Sequence, residues 1–183
     1  MGSTTLRWVQ RHAWLLAVAG AVLLAFGSTT WWVTHPDVFD DAGGFAITTV
    51  AEKVDRAYYA GIVVPPSNQD HRELELRSAT PVVVKDTAEA EVEVYLCEVD
   101  PAQGAVGVGA QRREPTDVCS TFQPVTDGTG LVVGGGQPRQ QLVLMVRGTQ
   151  PGVVKVRGVE ISYRDGLRRG TEVTGGYLTY RAR

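Results

Sequence analysis

The histidines are the residues of this chain that come closest to the requirements of acid–base catalysis. There are three, and His12 and His35 flank a long apolar segment near the N-terminus. His71 lies between Asp70 and Arg72, in a polar stretch typical of an exposed loop. The sequence therefore offers no credible base for a Ser-His-Asp or Cys-His arrangement, and we expect that the protein is not an enzyme.

Metal and cofactor sites are likewise not predicted. Glu89, Glu91 and Glu93 alternate along one stretch, which puts three carboxylates on one strand face, and such a face is usually solvated rather than bound to calcium. The stretch "VVGGGQPRQ" is rich in glycine but lacks the lysine of a phosphate-binding loop. No cysteine–histidine spacing resembles a tetrahedral zinc set. We expect no metal and no cofactor.

Cys97 and Cys119 are the two cysteines, and the residues between them are rich in glycine and turn formers. A covalent bond at the base of such a loop would order it, and disulfides persist in oxidising compartments. We predict one disulfide between the two residues. Two buried free thiols are the alternative.

Two pairs of arginines are the candidate partner-binding residues. Arg112 and Arg113 lie between the cysteines, and Arg168 and Arg169 lie in the stretch "RDGLRRG". Arginine recognises carboxylates and phosphates through paired hydrogen bonds. Each pair also has a plainer interpretation. Arg112 and Arg113 would then lie on a loop that the disulfide closes and that binds no partner. Arg168 and Arg169 would lie on a solvated hairpin, where their charges protect a sheet edge. The loop between the cysteines is longer than the hairpin loop. We therefore expect substitution of Arg112 and Arg113 to reduce partner binding more than substitution of Arg168 and Arg169.

The segment from Ala13 to Val33 has 21 residues and no charge. As a helix it would span roughly 31 Å, about the hydrocarbon thickness of a bilayer. The four tryptophans fall where membrane interfaces are expected: Trp8, Trp14, Trp31 and Trp32. Arginines precede the segment and aspartates follow it, which predicts a cytoplasmic N-terminus and an exported remainder. A cleaved signal peptide, which would release the domain, is the alternative.

The apolar segment divides the chain into four predicted parts. Residues 1–12 form a cytoplasmic tail, 13–33 a transmembrane anchor, 34–44 a polar stalk and 45–183 an extracytoplasmic domain. The predicted domain has the length of one ordinary domain with a single hydrophobic core. All 20 acidic residues follow the anchor and two of the 18 basic residues precede it, so the exported part is acidic. An acidic balance argues against nucleic-acid binding.

Strand signals dominate the predicted domain. "RELELRS" and "AEVEVYLCEV" alternate apolar and polar residues, and "QQLVLMVRG" is apolar almost throughout, as in a central strand buried on both faces. Asp165 and Gly166 indicate a hairpin turn between two strand-like runs. Short alternating runs separated by glycine, proline and aspartate predict an all-β, antiparallel sandwich.

The layout of the whole chain resembles that of small actinobacterial envelope proteins, with "RGVEISYRDGLRRGT" as the most recognisable stretch. The resemblance implies a single-pass anchor and an immunoglobulin-like β-sandwich with one cysteine pair, and it implies no catalytic residue. The chain departs from true immunoglobulins because no tryptophan lies near its closely spaced cysteines.

These features predict a membrane-anchored interaction or scaffold protein, an accessory subunit of a cell-envelope complex. A binding module for a small ligand or cell-wall component is the alternative. The expected partners are the lipid bilayer and another envelope or membrane protein. Small residues such as Gly20 and Ala21 would permit helix association, but nothing in the sequence indicates a homo-oligomer.

Overall fold

A computed structural model of the chain describes residues 18, 20–24, 38–39, 44–66, 70–99, 109–136 and 139–183. It contains two compact units, Met1–Pro36 and Asp37–Arg183. In the first unit the described residues are helical. Within the described ranges, no helix has the length and apolar character needed to cross a membrane. Most of the predicted anchor, and all four tryptophans, fall outside these ranges, so the anchor stays a prediction.

The second unit is built from β-strands. In chain order they are β1 (Ala46–Thr48), β2 (Tyr58–Val63), β3 (Arg72–Asp86), β4 (Ala90–Val99), β5 (Ala110–Gln111), β6 (Cys119–Pro124), β7 (Thr129–Val133), β8 (Gln140–Gly148), β9 (Gly152–Asp165), β10 (Arg168–Thr174) and β11 (Tyr177–Ala182).

The strands form two sheets that pack face to face around one main core. Sheet A has the order β1-β11-β9-β3-β7, with β10 also paired to β9, and sheet B has the order β5-β2-β8-β4-β6. The pairings are antiparallel apart from the parallel pair of β1 with β11. The predicted all-β sandwich is confirmed.

Strand β9 pairs with β3 along one edge, and on its other edge the neighbouring strand changes at Gly158. The residues before this glycine pair with β11 and those after it pair with β10. Gly158 has a φ of 102°, and a Cβ there would lie 2.4 Å from the backbone oxygen of Thr174. Only glycine fits this conformation and this close approach, so the partner change depends on it.

The core follows the alternation of the strands. Leu74 and Leu76 of β3 point inward and are fully buried. Residues 141–146 of β8 are all buried, which confirms the prediction of a central strand covered on both faces. One face of β8 joins the main core, and Val143 on the other face packs in a second cluster with Cys97 and Cys119. That cluster lies beneath the rings of partly buried aromatic residues: Tyr59, Tyr95 and Phe122.

Val38 and Phe39 belong to this unit, although the sequence places them in a polar stalk. Each is only 1% exposed. Their backbone N–H groups donate to the two carboxylate oxygens of Glu172, at 3.1 and 3.0 Å. The Phe39 ring meets the ring of Tyr163 edge to face, with centroids 5.4 Å apart. The sequence missed this docking because two apolar residues among aspartates carry no periodic signal.

The order of the strands departs from the immunoglobulin arrangement that the resemblance implied. In immunoglobulins the first strand lies beside the second and the last beside the penultimate one. Here the first long strand, β2, lies beside β8, and β9 lies beside β3. These two strands have therefore exchanged sheets relative to the immunoglobulin order. Local sequence patterns indicate strands, but sheet partners depend on contacts between distant residues.

The predicted disulfide between Cys97 and Cys119 is present, with Cα atoms 5.3 Å apart. It joins β4 to β6, which are neighbours within sheet B. In antibody domains the corresponding bond crosses from one sheet to the other. The bond in this protein therefore fastens the loop that leaves β4 and returns on β6, and it does not link the two layers.

The hairpin between β9 and β10 is confirmed. Asp165 and Arg168 form its last pair, so Gly166 and Leu167 are the two loop residues. Gly166 has a φ of 60°, which suits the first central position of a type II′ turn.

Candidate functional site

A cleft with a volume of about 660 Å³ opens between the edges of the two sheets. Thr48 at the end of β1 lies on one side, and Ala110 and Gln111 of β5 lie on the other. Glu52 lies in the segment that connects β1 to β2. We call this feature the Glu52 cleft. Its position at two sheet edges means that short strands and loops form its walls.

The backbone holds Glu52 firmly in place. Its N–H donates to the carbonyl of Arg181 at 2.8 Å, and its carbonyl accepts from the N–H of Arg183 at 2.7 Å. These bonds extend the sheet by one residue pair next to β11, as an isolated bridge with Ala182. Glu52 as a whole residue is only 4% exposed, so its carboxylate is buried.

Arg112 neutralises the Glu52 carboxylate. Its Nε atom lies 2.9 Å from each of the two carboxylate oxygens. A buried carboxylate without a partner is costly, so this arginine is required for the local structure. The Arg112 side chain nevertheless remains 52% exposed, and Arg112 lines the cleft.

One tyrosine, Tyr58, lies on the lining of the Glu52 cleft. Its ring contacts that of Tyr180, with ring centroids 6.2 Å apart. Burial raises the pKa of the Tyr58 phenol, and the nearby Glu52 carboxylate raises it further. Burial likewise raises the pKa of Tyr180, whose hydroxyl donates to the carbonyl of Arg56 at 3.1 Å. Both phenols are therefore neutral hydrogen-bonding groups and not bases.

Gln111 lines the Glu52 cleft and carries a buried side-chain donor. Its side-chain amide nitrogen is buried and has no hydrogen-bond partner among the described residues. Leaving such a group unpaired costs about 1–3 kcal/mol. Only an oxygen acceptor that reached this buried nitrogen would offset that cost.

The disulfide helps to shape the rim of the cleft. The N–H groups of Val118 and Cys119 both donate to the carbonyl of Pro115, at 3.1 and 2.8 Å, and form a tight turn that leads into β6. Cys119 is bonded to Cys97, so the end of this turn is fixed to β4. The exposed rim residues lie on or next to this turn: Arg113, Glu114, Thr116 and Asp117.

The two arginine pairs predicted from the sequence occupy different places. Arg112 and Arg113 line the Glu52 cleft, where Arg112 has a structural ion pair and Arg113 is exposed. Arg168 is half-buried and Arg169 exposed on β10, away from the residues of the cleft. Sequence reasoning found the arginines of the rim but missed Glu52 and Gln111, since a single charged or amide residue in a strand-like run carries no signal.

A second cavity, of about 500 Å³, contains His71 on its lining. His71 is exposed, as predicted, and Ser120 also lines this cavity. The Ser120 hydroxyl donates to the carbonyl of Glu98 at 3.1 Å, so it is directed away from a base. Among the described residues, no group of three or more histidine, cysteine or acidic side chains is placed to hold a metal ion.

No family model matches the chain, and no curated protein matches it at a significant level.

Proposed function

We propose that this protein is a membrane-anchored, extracytoplasmic interaction protein, an accessory subunit of a cell-envelope complex, and that the Glu52 cleft receives a segment of its partner. The observation that carries the proposal is the cleft of about 660 Å³ whose lining includes Gln111, because the buried side-chain amide nitrogen of this residue has no hydrogen-bond partner among the described residues. A carbonyl or carboxylate oxygen of the partner accepts a hydrogen bond from this group. Arg113 at the rim adds a charge-assisted contact.

The character of the cleft favours a polar polypeptide segment. Small-molecule pockets of this volume are mostly lined by apolar side chains. The Glu52 cleft instead combines a neutralised ion pair, an amide and a rim with both signs of charge. A polar cell-wall component is the second candidate, because the cleft volume lies within the range of known ligand sites.

Other features support the proposed location and architecture. A disulfide between Cys97 and Cys119 is expected in an oxidising compartment outside the cytoplasm. The uncharged run from Ala13 to Val33 and its flanking tryptophans support a single-pass anchor with a cytoplasmic N-terminus. The two packed, mostly antiparallel sheets support a β-sandwich, although β2 lies beside β8 and β9 lies beside β3, which are not the neighbours of the immunoglobulin order.

Filling the Glu52 cleft tests the proposal. Thr116 is exposed on its lining, so Thr116→Trp would obstruct the cleft without disturbing the core. Partner recovery after crosslinking in native membranes, quantified by mass spectrometry, should fall at least about fivefold. The matched control is Thr80→Trp on exposed β3, which should leave recovery unchanged. Equal loss in both variants, or no loss in either, would overturn the cleft as the binding site.

Arginine substitutions give an independent comparison. Arg113→Ala removes an exposed charge and should weaken partner recovery severalfold at unchanged melting temperature. Arg112→Ala is unsuitable, since it leaves the buried Glu52 carboxylate without its partner. The double variant Arg168→Ala, Arg169→Ala should have the smaller effect on recovery. A larger loss from the hairpin pair would place the partner there instead.

A further inference from the structure

We propose that the partner segment received by the Glu52 cleft binds as an extended strand, whose backbone pairs with Ala110 at the free edge of sheet B. The inference rests on the proposed function and adds to it the conformation of the segment and the atoms that recognise it. When a strand is added to a sheet in this way, main-chain hydrogen bonds provide the affinity and alternate side chains provide the specificity.

The first observation is the direction of the backbone groups of Ala110. The Gly61 N–H of β2 donates to the Gly109 carbonyl at 3.0 Å. The next pair along this antiparallel ladder is Ala60 with Ala110. In such a ladder, hydrogen-bonded pairs alternate with pairs whose N–H and C=O groups point away from each other. The backbone groups of Ala110 therefore point away from β2, where sheet B has no further strand among the described residues.

The second observation is a free edge on the other side of the Glu52 cleft. The Thr49 N–H donates to the Thr179 carbonyl of β11 at 2.9 Å, so the N–H of Thr49 faces that strand. Successive residues of a strand direct their backbone groups to opposite edges, so those of Thr48 point away from β11. Within the described residues, β1 is the last strand of sheet A on this side. Thr48 and Ala110 both line the cleft and are exposed, so the open edges of two sheets border it.

The third observation is that the opposite side of the sandwich is protected against strand addition. β6 is the terminal strand of sheet B on that side, and it carries Pro124, which has no N–H to donate. On β7, the terminal strand of sheet A, the Val132 N–H donates to the side-chain oxygen of Gln140 at 2.7 Å. Prolines and covering groups on edge strands hinder pairing with other chains. β5 contains no proline, and the small side chain of Ala110 leaves room for an approaching backbone.

The position of β5 favours a segment of a partner protein over a second copy of this chain. Ala110 lies across the cleft from Thr48, so a strand that pairs with β5 must enter the space between the two sheet edges. A single extended segment is narrow enough for a cleft of about 660 Å³. The β5 edge of a second copy borders a cleft of its own and belongs to a whole sandwich, which hinders the same approach. The exposed Arg113 at the rim favours an acidic side chain on the segment.

Removal of one backbone donor tests the inference. Ala110→Pro deletes the outward N–H of Ala110 and no hydrogen bond to β2. Partner recovery after crosslinking in native membranes should fall at least about fivefold at unchanged melting temperature. Ala46→Pro is the matched control, because Ala46 is exposed on the edge strand β1, points its N–H away from β11 and is not among the described residues that line the cleft. It should leave recovery unchanged, and equal losses in the two proline variants would overturn the inference.

A second variant keeps the test decisive if proline disturbs the local fold. Lactic acid in place of Ala110, introduced by nonsense suppression, replaces this one amide by an ester and keeps the shape of the chain. The same loss of recovery is expected. Unchanged recovery with lactic acid, while Thr116→Trp still lowers it, overturns the strand pairing alone. Unchanged recovery in both overturns the proposed cleft site as well, and a crosslinked species made of two copies of this chain contradicts a partner protein as the occupant.

Discussion

Glu172 is the residue that joins the N-terminal segment to the sandwich. One carboxylate accepts hydrogen bonds from the N–H groups of Val38 and Phe39 and from the hydroxyl of Tyr163. Hydrogen bonds to a charged acceptor are stronger than neutral ones, and donors left without this acceptor would be largely buried. Glu172 thus helps to hold Phe39 against Tyr163, together with the hydrogen bond from the Thr174 hydroxyl to the Phe39 carbonyl.

Glu172→Ala should therefore destabilise the domain by about 3 kcal/mol, because three donors lose their acceptor. For a domain of this size the melting temperature should fall by roughly 6–12 °C, as measured by circular dichroism. Glu160→Ala is the matched control, since Glu160 is exposed on the neighbouring β9. Similar melting temperatures for the two variants would show that the docking of Val38 and Phe39 contributes little.

The hydrogen bond between Tyr95 and Glu93 can be tested through the pH at which the Tyr95 phenol ionises. Its hydroxyl donates to the Glu93 carboxylate at 2.7 Å, and this bond, together with burial and the charge of Glu93, raises the pKa of the Tyr95 phenol to about 12. The folded-state pKa lies above the unfolded value of about 10. The contribution of this group to stability is therefore present below pH 10 and lost as the pH rises to 12.

Glu93→Gln should lower the pKa of Tyr95 toward 10, because it removes the principal cause of the shift. Ultraviolet absorbance titration measures the phenolate, and Tyr95→Phe identifies which step belongs to this residue. A titration step of Tyr95 that stays near pH 12 in Glu93→Gln would contradict the hydrogen bond as its cause.

At the scale of the strands, the sequence predicted the features that depend on neighbouring residues and missed those that depend on distant ones. The alternation of β3 and β4, the buried run of β8 and the hairpin after β9 were all predictable, because each is a property of neighbouring residues. The pairing of β2 with β8 and of β9 with β3 was not, since it depends on contacts across the whole chain. For the same reason the Glu52 cleft, which needs Arg112 and the strand β5 to meet a distant glutamate, escaped prediction.

Replacing both Cys97 and Cys119 by alanine should lower stability by about 3 kcal/mol without changing the fold class, since their 22-residue separation constrains the unfolded chain. Because the bond lies within sheet B, the two sheets should stay packed in the variant. Thermal unfolding followed by circular dichroism checks both points. Loss of the β-sheet signal at 25 °C would show that the disulfide supports the whole sandwich rather than one loop.

At the scale of the whole molecule, the sequence predicts an anchor, and Val38, which follows it in the chain, is already part of the sandwich core. Within the described residues, the lining of the Glu52 cleft includes Gln111, whose buried side-chain amide nitrogen has no hydrogen-bond partner among them.

The protein should resist carbonate extraction from membranes and retain its N-terminus, because the run from Ala13 to Val33 is long enough to cross a bilayer. Protease added outside should digest the C-terminal domain. Recovery of a soluble chain that begins near Ser28 would show that the segment is a cleaved signal peptide. The domain would then be released, with its Glu52 cleft intact.

The most direct test of the central claim is site-specific photo-crosslinking in native membranes. A photoreactive amino acid in place of Arg113 reports on the rim of the Glu52 cleft, and the same residue in place of Thr80 reports on the outer face of sheet A. The account predicts one reproducible protein adduct from position 113 that is absent from position 80 and is lost when Thr116→Trp fills the cleft. Identical adducts from both positions, or an adduct at position 113 that persists with the cleft filled, would contradict it.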